Sequence, residues 1–414
     1  MRIATKRIIF GALALSVALG AYSCKKKPAE KKSDDDKMSP MSMETMKAMD
    51  VIKAMDVMKA ADAMKAADAV QPRPKPDKPK KLTFEEQLAL TTPLTPKPTE
   101  QKLGKLTLKP QLCKVEGIKF LHTSTSIFKS IQKVGKKLYV LNHKGEVLRL
   151  DVSDGAECKL TLDKTWGNEG IYKGSRSYNR LSSDNKGNVV ASSFMGSVYI
   201  KGGKVAYECK ARKQGSIILH PNGKWGLGYF VGSNVQQIAF GPKECKGKNW
   251  ILTDMGNNAK RKGPLKMVFA IGFAQNLTLV GGSLAQKVKG GNPNVVVAFN
   301  AKGKQMFQLG LVSGTGPEHF GWIHAIQGCK KGKICVVDSN FRSLSAWTMK
   351  GKFSGAVKLN TLFGVGYPWI NDFDVDAKGA AWFIVGQSRD RKGSGRTGPM
   401  VSVAEGLIYR VTGL

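Results

Sequence analysis

The feature that most constrains this chain is a short cue that keeps returning. A polar turn carrying Gly, Lys or Asn leads into an apolar run at strand spacing. It occurs at Lys136–Leu141, Asn185–Ala191, Pro221–Leu227, Lys331–Asp338 and Asp376–Ile384. Turn residues that tolerate positive φ, followed by a β-prone run, mark hairpins. Most neighbouring cues lie about 40 to 50 residues apart, the period of a four-stranded propeller blade. The wider interval between the third and fourth leaves room for one more unit with a poorer cue.

Six units can be placed, with inner strands starting near Phe128, Tyr178, Ser216, Met267, Ile323 and Ile370. Outer strands follow at Val147–Leu150, Val198–Ile200, Val295–Phe299 and Leu344–Trp347. The last unit ends at Leu407–Val411 without an outermost strand. Leu112–Phe120 is expected to supply it, closing the ring so that no edge is left open. The expected fold is therefore an all-β, six-bladed β-propeller over 106–414, with an N-terminal strand completing the last blade. A β-sandwich is the competing architecture. The fourth unit also admits a reading in which Asn249–Asp254 begins a different blade.

The residues before the repeats have another character. Arg2, Lys6 and Arg7 precede an apolar stretch, Ile8–Gly20, so 1–23 reads as a signal peptide. It falls short of the roughly 20 apolar residues of a membrane-spanning helix. Cys24 follows directly and resembles the lipidated Cys of a bacterial lipobox, with Ala21 and Tyr22 departing from its usual residues. Acyl chains of the palmitate kind, together with Lys25, Lys26 and Lys27, would supply the two signals that stable membrane anchoring needs. Lys25 after the Cys favours the outer membrane by the sorting pattern of such lipoproteins. Residues 24–105 form a low-complexity tether. Four hexads occupy 47–70, from Lys47–Ile52 to Lys65–Val70, with Lys and Asp alternating every third residue. This pattern suits an exposed helix stabilised by i,i+3 ion pairs, or a disordered spacer. From Gln71 recurrent Pro makes an extended linker, broken by an apolar island at Leu82–Leu90 that could dock on the propeller.

One unit carries a family resemblance. Gly316–Ala325, Ile334–Arg342 and Trp347–Phe353 resemble an NHL repeat, with Asn340 and Arg342 one residue early. The gluconolactonase-like and TolB-like propellers are its cousins. The resemblance implies a propeller whose function must be argued from its site, because such folds host both enzymes and binding modules. Lyases of NHL type place several His around an axial metal, and here only His324 takes that position. Gluconolactonase-like enzymes use an axial Glu, Asn and Asp. Asn371 and Asp372 supply a fragment of that set without the Glu. No metal or cofactor is therefore expected.

A propeller's ligand face is built from the loops that enter the inner strands and those that join the second and third strands. Trp166, Glu169, Tyr172, Arg176, Tyr178, Arg180, His319, Trp322, His324, Tyr367, Trp369, Asn371 and Asp372 fall there, a mixture of aromatic and polar groups that suits binding. Aromatics before inner strands also serve simply to seal blade against blade. The basic insertion Gln387–Gly398 reads as a solvent-facing loop or a lid.

Besides Cys24 there are Cys113, Cys158, Cys209, Cys245, Cys329 and Cys335, an even number that suits disulfides in an exported domain. Only Cys329–Cys335 is favoured by spacing, across the turn at Lys330–Lys333. The connectivity of the others stays open. The formal net charge is +35, from 66 Lys and Arg against 31 Asp and Glu. The Lys is scattered through turns rather than interleaved with Arg and aromatics, which argues against nucleic acid and for anionic envelope polymers. The expected function is that of a lipid-anchored envelope protein binding a protein or anionic glycan without catalysis. A metal-dependent hydrolase or lyase with an axial site is the alternative.

Overall fold

The recurring turn glycines explain the local geometry. In the computed structural model, Gly135, Gly187, Gly223, Gly332 and Gly379 close the first hairpin of five sheets, all at φ between 56° and 82°. That left-handed conformation carries little penalty only without a Cβ. The structure describes residues 82–414, except 123–127, 154, 175, 194, 210–214, 230–233, 241–244, 252, 254–262, 287–292, 312–315, 331 and 393–402. The leader, Cys24 and the hexad repeat lie outside the described residues, as does the second half of the Gln387–Gly398 insertion.

Each blade is an antiparallel meander with its first strand innermost. Blade 1 comprises Phe128–Val134, Lys137–Asn142, Val147–Val152 and Lys159–Leu162. Blade 2 comprises Arg180–Ser183, Val189–Ser193, Gly196–Lys201 and Lys204–Cys209. Blade 3 comprises Ser216–Leu219, Trp225–Tyr229, Val235–Ala239 and Lys246–Ile251. Blade 4 comprises Leu265–Ala274, Leu277–Leu284, Asn294–Phe299 and Gln305–Leu309. Blade 5 comprises Ile323–Cys329, Lys333–Asp338, Ser343–Thr348 and Phe353–Lys358. Blade 6 comprises Trp369–Val375, Ala381–Ser388 and Ala404–Thr412, completed by Leu106–Leu112 and edged by Gln101–Leu103. The inner strand of blade 6 packs against that of blade 1, so the ring is closed. The chain is a six-bladed β-propeller.

Two expectations need correction. The closing strand is Leu106–Leu112, not Leu112–Phe120: Lys109 to Leu112 pair with Thr412 to Tyr409. Leu103, Leu106 and Leu108 are buried between blades 5 and 6, giving this stretch the apolar face a closing strand needs. Lys114–Glu116 instead runs parallel to the outer strand of blade 1, and Leu121–His122 pairs with Ala404 and Glu405. The N-terminal segment thus crosses from the last blade to the first. Secondly, Asn249 to Ile251 belong to the outer strand of blade 3 and begin no blade of their own.

Six buried apolar clusters occur among the described residues, one for each blade-to-blade interface. The smallest joins blades 2 and 3 through Val190, Tyr199, Ile217, Leu219 and Ile238. The Cys209–Cys245 disulfide, with Cα atoms 5.3 Å apart, links the same two blades. Cys113–Cys158 lies at the closure: the Cys113 amide donates to Ile408 of blade 6, and the Lys114 amide to Cys158 of blade 1. Cys329–Cys335 spans the first hairpin of blade 5, as its spacing predicts.

The apolar island Leu82–Leu90 forms a helix over Phe84–Ala89, started by a Thr83/Glu86 capping box. Thr91 and Thr92 then pair with Arg391 and Asp390, and the chain runs along blade 6, where Lys97 and Thr99 donate to Gly364 and Leu362. Gly364 ends the short helix Leu359–Phe363 at φ 63°, and a Cβ there would collide with the Lys97 backbone.

Candidate functional site

Inner strands line the axis of a propeller, and their outer neighbours satisfy only one of their two edges. Side chains from the preceding blade cap the other. Gln132 Oε1 accepts the Ser183 amide at 3.0 Å, Ser182 Oγ the Leu219 amide at 2.9 Å, and Ser192 Oγ the Ile217 amide at 3.0 Å. Between blades 6 and 1 two carboxylates do this: Asp372 Oδ2 accepts the Ile131 amide at 3.1 Å and Asp374 Oδ2 the Lys133 amide at 2.7 Å. Asp372 and Asp374 alternate along one strand, so both reach the same seam.

Asp372 also ties the axis together. Ser130 Oγ donates to its Oδ2, and Arg180 Nη2 lies 3.1 Å from its Oδ1. Asp372 is fully buried. Burial alone would depress the Arg180 guanidinium, but the Asp372 carboxylate outweighs it and holds the pKa above its ordinary value. Both residues lie on inner strands, so this buried ion pair bridges blades 2 and 6. Asp374 accepts from Gln327 Nε2 at 2.7 Å. Burial pushes its carboxyl up to about 7 against the hydrogen bond from Lys133, with the charge of Asp372 adding to the rise. On this hairpin side a cavity of about 580 Å³ opens between Gln132, Ser183, Gln327 and Asp374.

The opposite, loop-side mouth holds a shallow cavity of about 620 Å³ lined by Trp322, His324, Asn340, Trp369 and Asn371. Trp322, Tyr367 and Trp369 are 46 %, 52 % and 36 % exposed. Trp322 stacks on Phe269 with ring centroids 4.3 Å apart, and Tyr367 meets Trp369 at 5.8 Å. The Arg342 guanidinium sits 3.1 Å over the Tyr367 ring. His324 Nε2 hydrogen-bonds the Asn371 carbonyl, and the Asn371 amide donates to Phe128. Burial, then the charge of Arg180, lowers the His324 pKa and keeps the imidazole neutral. The arrangement presents flat aromatic surface with a few fixed polar groups. Among the described residues no three His, Cys, Asp or Glu converge as metal ligands.

The residues singled out from sequence therefore fall into three groups. Trp322, His324, Tyr367, Trp369 and Asn371 come together at the loop-side mouth. Arg180 and Asp372 meet deeper, in the axial ion pair. The others go elsewhere. Trp166 and Tyr178 are buried between blades 1 and 2, where they seal the interface, and Tyr172 stacks on Tyr178. Arg176 donates to the Met195 carbonyl. His319 lines a separate cavity with Phe341 and Lys358. Sequence reasoning missed Phe269, Asn340, Arg342, Ser130 and Asp374. The alternation of Asp372 and Asp374 on a strand already placed at the axis was a readable signal for the last.

The fold is that of a six-bladed β-propeller. Compared with solved structures, the chain is similar to a virginiamycin B lyase from Staphylococcus aureus, at 12 % identity and TM-score 0.42, covering 75 % of this chain and 100 % of that one. It is also similar to the Cps50 (Swd1) β-propeller domain of Myceliophteria thermophila, at 12 % identity and TM-score 0.44, covering 68 % of this chain and 96 % of that one. No family model and no curated protein sequence matches the chain.

Proposed function

We propose that the chain is an exported envelope lipoprotein, anchored through Cys24 and favouring the outer membrane. Its propeller binds a protein or an anionic glycan on the loop face. One observation carries the reading: Trp322 and Trp369 stand exposed in the lining of one cavity with Tyr367 exposed beside Trp369, and Phe269 and Arg342 hold Trp322 and Tyr367. Aromatic anchors held in place, with polar groups at the rim, are what hot spots are made of.

The test is capture from envelope extracts by the full chain in detergent, with a glycan array as a second arm. Trp322→Ala and Trp369→Ala should each weaken the captured interaction by about 30-fold, the scale of a truncated hot spot. Equal capture by both variants would place the contact elsewhere. Cys24→Ser should move the protein from the membrane to the soluble fraction, and continued membrane retention would exclude lipid anchoring there.

A further inference from the structure

Positive charge gathers at a second place, on the hairpin side of the ring. Between blades 6 and 1 a cleft of about 620 Å³ is lined by Lys133, Lys136, Lys330, Lys378, Arg410 and Trp382. We propose that this cleft is a binding site for a phosphate-type oxyanion. The site is independent of the loop face and of the reading built on it.

The lining holds five cationic side chains and one acidic one, Asp376. The oxygens of Asp376 are turned into their own hairpin. Oδ1 accepts the Lys378 and Ala380 amides at 2.9 Å each, and Oδ2 accepts from Trp382 Nε1 at 3.1 Å. Such a surplus of cations in one concave place attracts anions.

Arg410 supplies the second observation. It faces Trp382 on one side and Gln111 on the other across the sheet of blade 6. Its Nη2 donates to Gln111 Oε1 at 2.6 Å, whereas its Nε is buried and has no hydrogen-bond partner. A buried cationic N–H without an acceptor is rare and unfavourable. Arg410 is itself among the residues that line the cleft. Lys133 Nζ sits 5.4 Å over the Trp382 ring, which holds an ammonium at the same wall. An oxyanion with several acceptor oxygens matches donors arriving from blades 1, 5 and 6, and charge-assisted hydrogen bonds of this kind are the strong ones.

Calorimetric titration of the full chain in zwitterionic detergent with sodium pyrophosphate at fixed ionic strength tests the site. One saturable site is expected. Lys136→Gln and Lys378→Gln, both in hairpin turns that leave the sheets intact, should each weaken it about tenfold. Lys304→Gln, in an exposed turn of blade 4, should leave it unchanged. A parallel arm uses phosphatidylglycerol and phosphatidylcholine vesicles. Pyrophosphate binding together with variant-sensitive binding to the anionic vesicles assigns the phosphate to a lipid headgroup. Pyrophosphate binding alone assigns it to a free or polymer-borne phosphate. Absence of a saturable pyrophosphate site overturns the proposal, as does equal weakening by all three variants, the mark of diffuse surface charge.

Discussion

Substituting Asp374→Asn should stabilise the protein at pH 8 and leave it nearly unchanged at pH 5. The Asp374 side chain belongs to a residue only 4 % exposed. Burial, against the hydrogen bond from Lys133 and with the charge of Asp372, raises its pKa from 3.8 to about 7. Between those values the folded protein keeps a proton that the unfolded chain has released. Stability therefore falls as pH rises through this window, by about 1.4 kcal/mol per pH unit. The contribution is fully present below the unfolded value and lost above the folded one. From pH 5 to pH 8 the loss works out at about 2.6 kcal/mol. An Asn has no such proton to lose. Its oxygen can accept the Lys133 amide, and its NH2 can donate to Gln327 once that side-chain amide turns its oxygen inward. Urea unfolding of both proteins at four pH values, analysed with a common m-value, measures the difference. The gap should widen in favour of the variant by about 2.6 kcal/mol across the range. Parallel pH profiles would refute the reasoning, because they would mean that Asp374 is ionised in both states. Asp163 does not interfere. Lys137, Thr165 and Arg149 hold it below the ordinary carboxylate range despite its burial, so its contribution is lost only as pH falls beneath that range.

Other perturbations probe the ring. Replacing both Cys113 and Cys158 by Ser frees a loop with a sequence separation of 45 residues. The unfolded chain then regains entropy worth about 4 kcal/mol, which should lower the urea midpoint, and an unchanged midpoint would show that the bridge carries no stability. Arg180→Leu leaves Asp372 buried without its cation and should cost about 3–5 kcal/mol, with part recovered in the Arg180→Leu, Asp372→Leu double variant. A near-neutral single variant in the same unfolding assay would mean that the carboxylate is neutralised in some other way.

Much of the ring was legible because its hairpins need glycine. Five first turns advertise themselves through a residue at positive φ. Blade 4 does not, since Gln275 takes that conformation at φ 52° without being Gly. This is why its cue was poor and its strands could be re-read. The closing strand was displaced in the sequence reading because Leu112–Phe120 contains β-prone residues, while the decisive contacts of Leu103, Leu106 and Leu108 are with the neighbouring blade. Pattern along one strand carries no information about a partner some 300 positions away. The same limit applies to the site. Trp322 and Trp369 could be placed at one mouth because both precede inner strands, but so do Trp166 and Tyr178, and only packing reveals that these are walled in. Cys329–Cys335 was readable from a short turn. The two longer bridges depend on how blades sit side by side.

The joint of the ring also dictates when folding can finish. Arg410 and its partner Gln111 stand 299 positions apart, and every pairing of the closing strand spans a similar distance. Earlier blades can assemble from local hairpins, each on its predecessor, as the chain emerges. Throughout that interval the amides of Ile131 and Lys133 lack the carboxylates of Asp372 and Asp374, so the first blade waits with a bare flank. A bare strand flank can recruit a strand from another molecule. The half-made ring is thus the species most exposed to misassembly, and the arrival of the final strand ends that hazard.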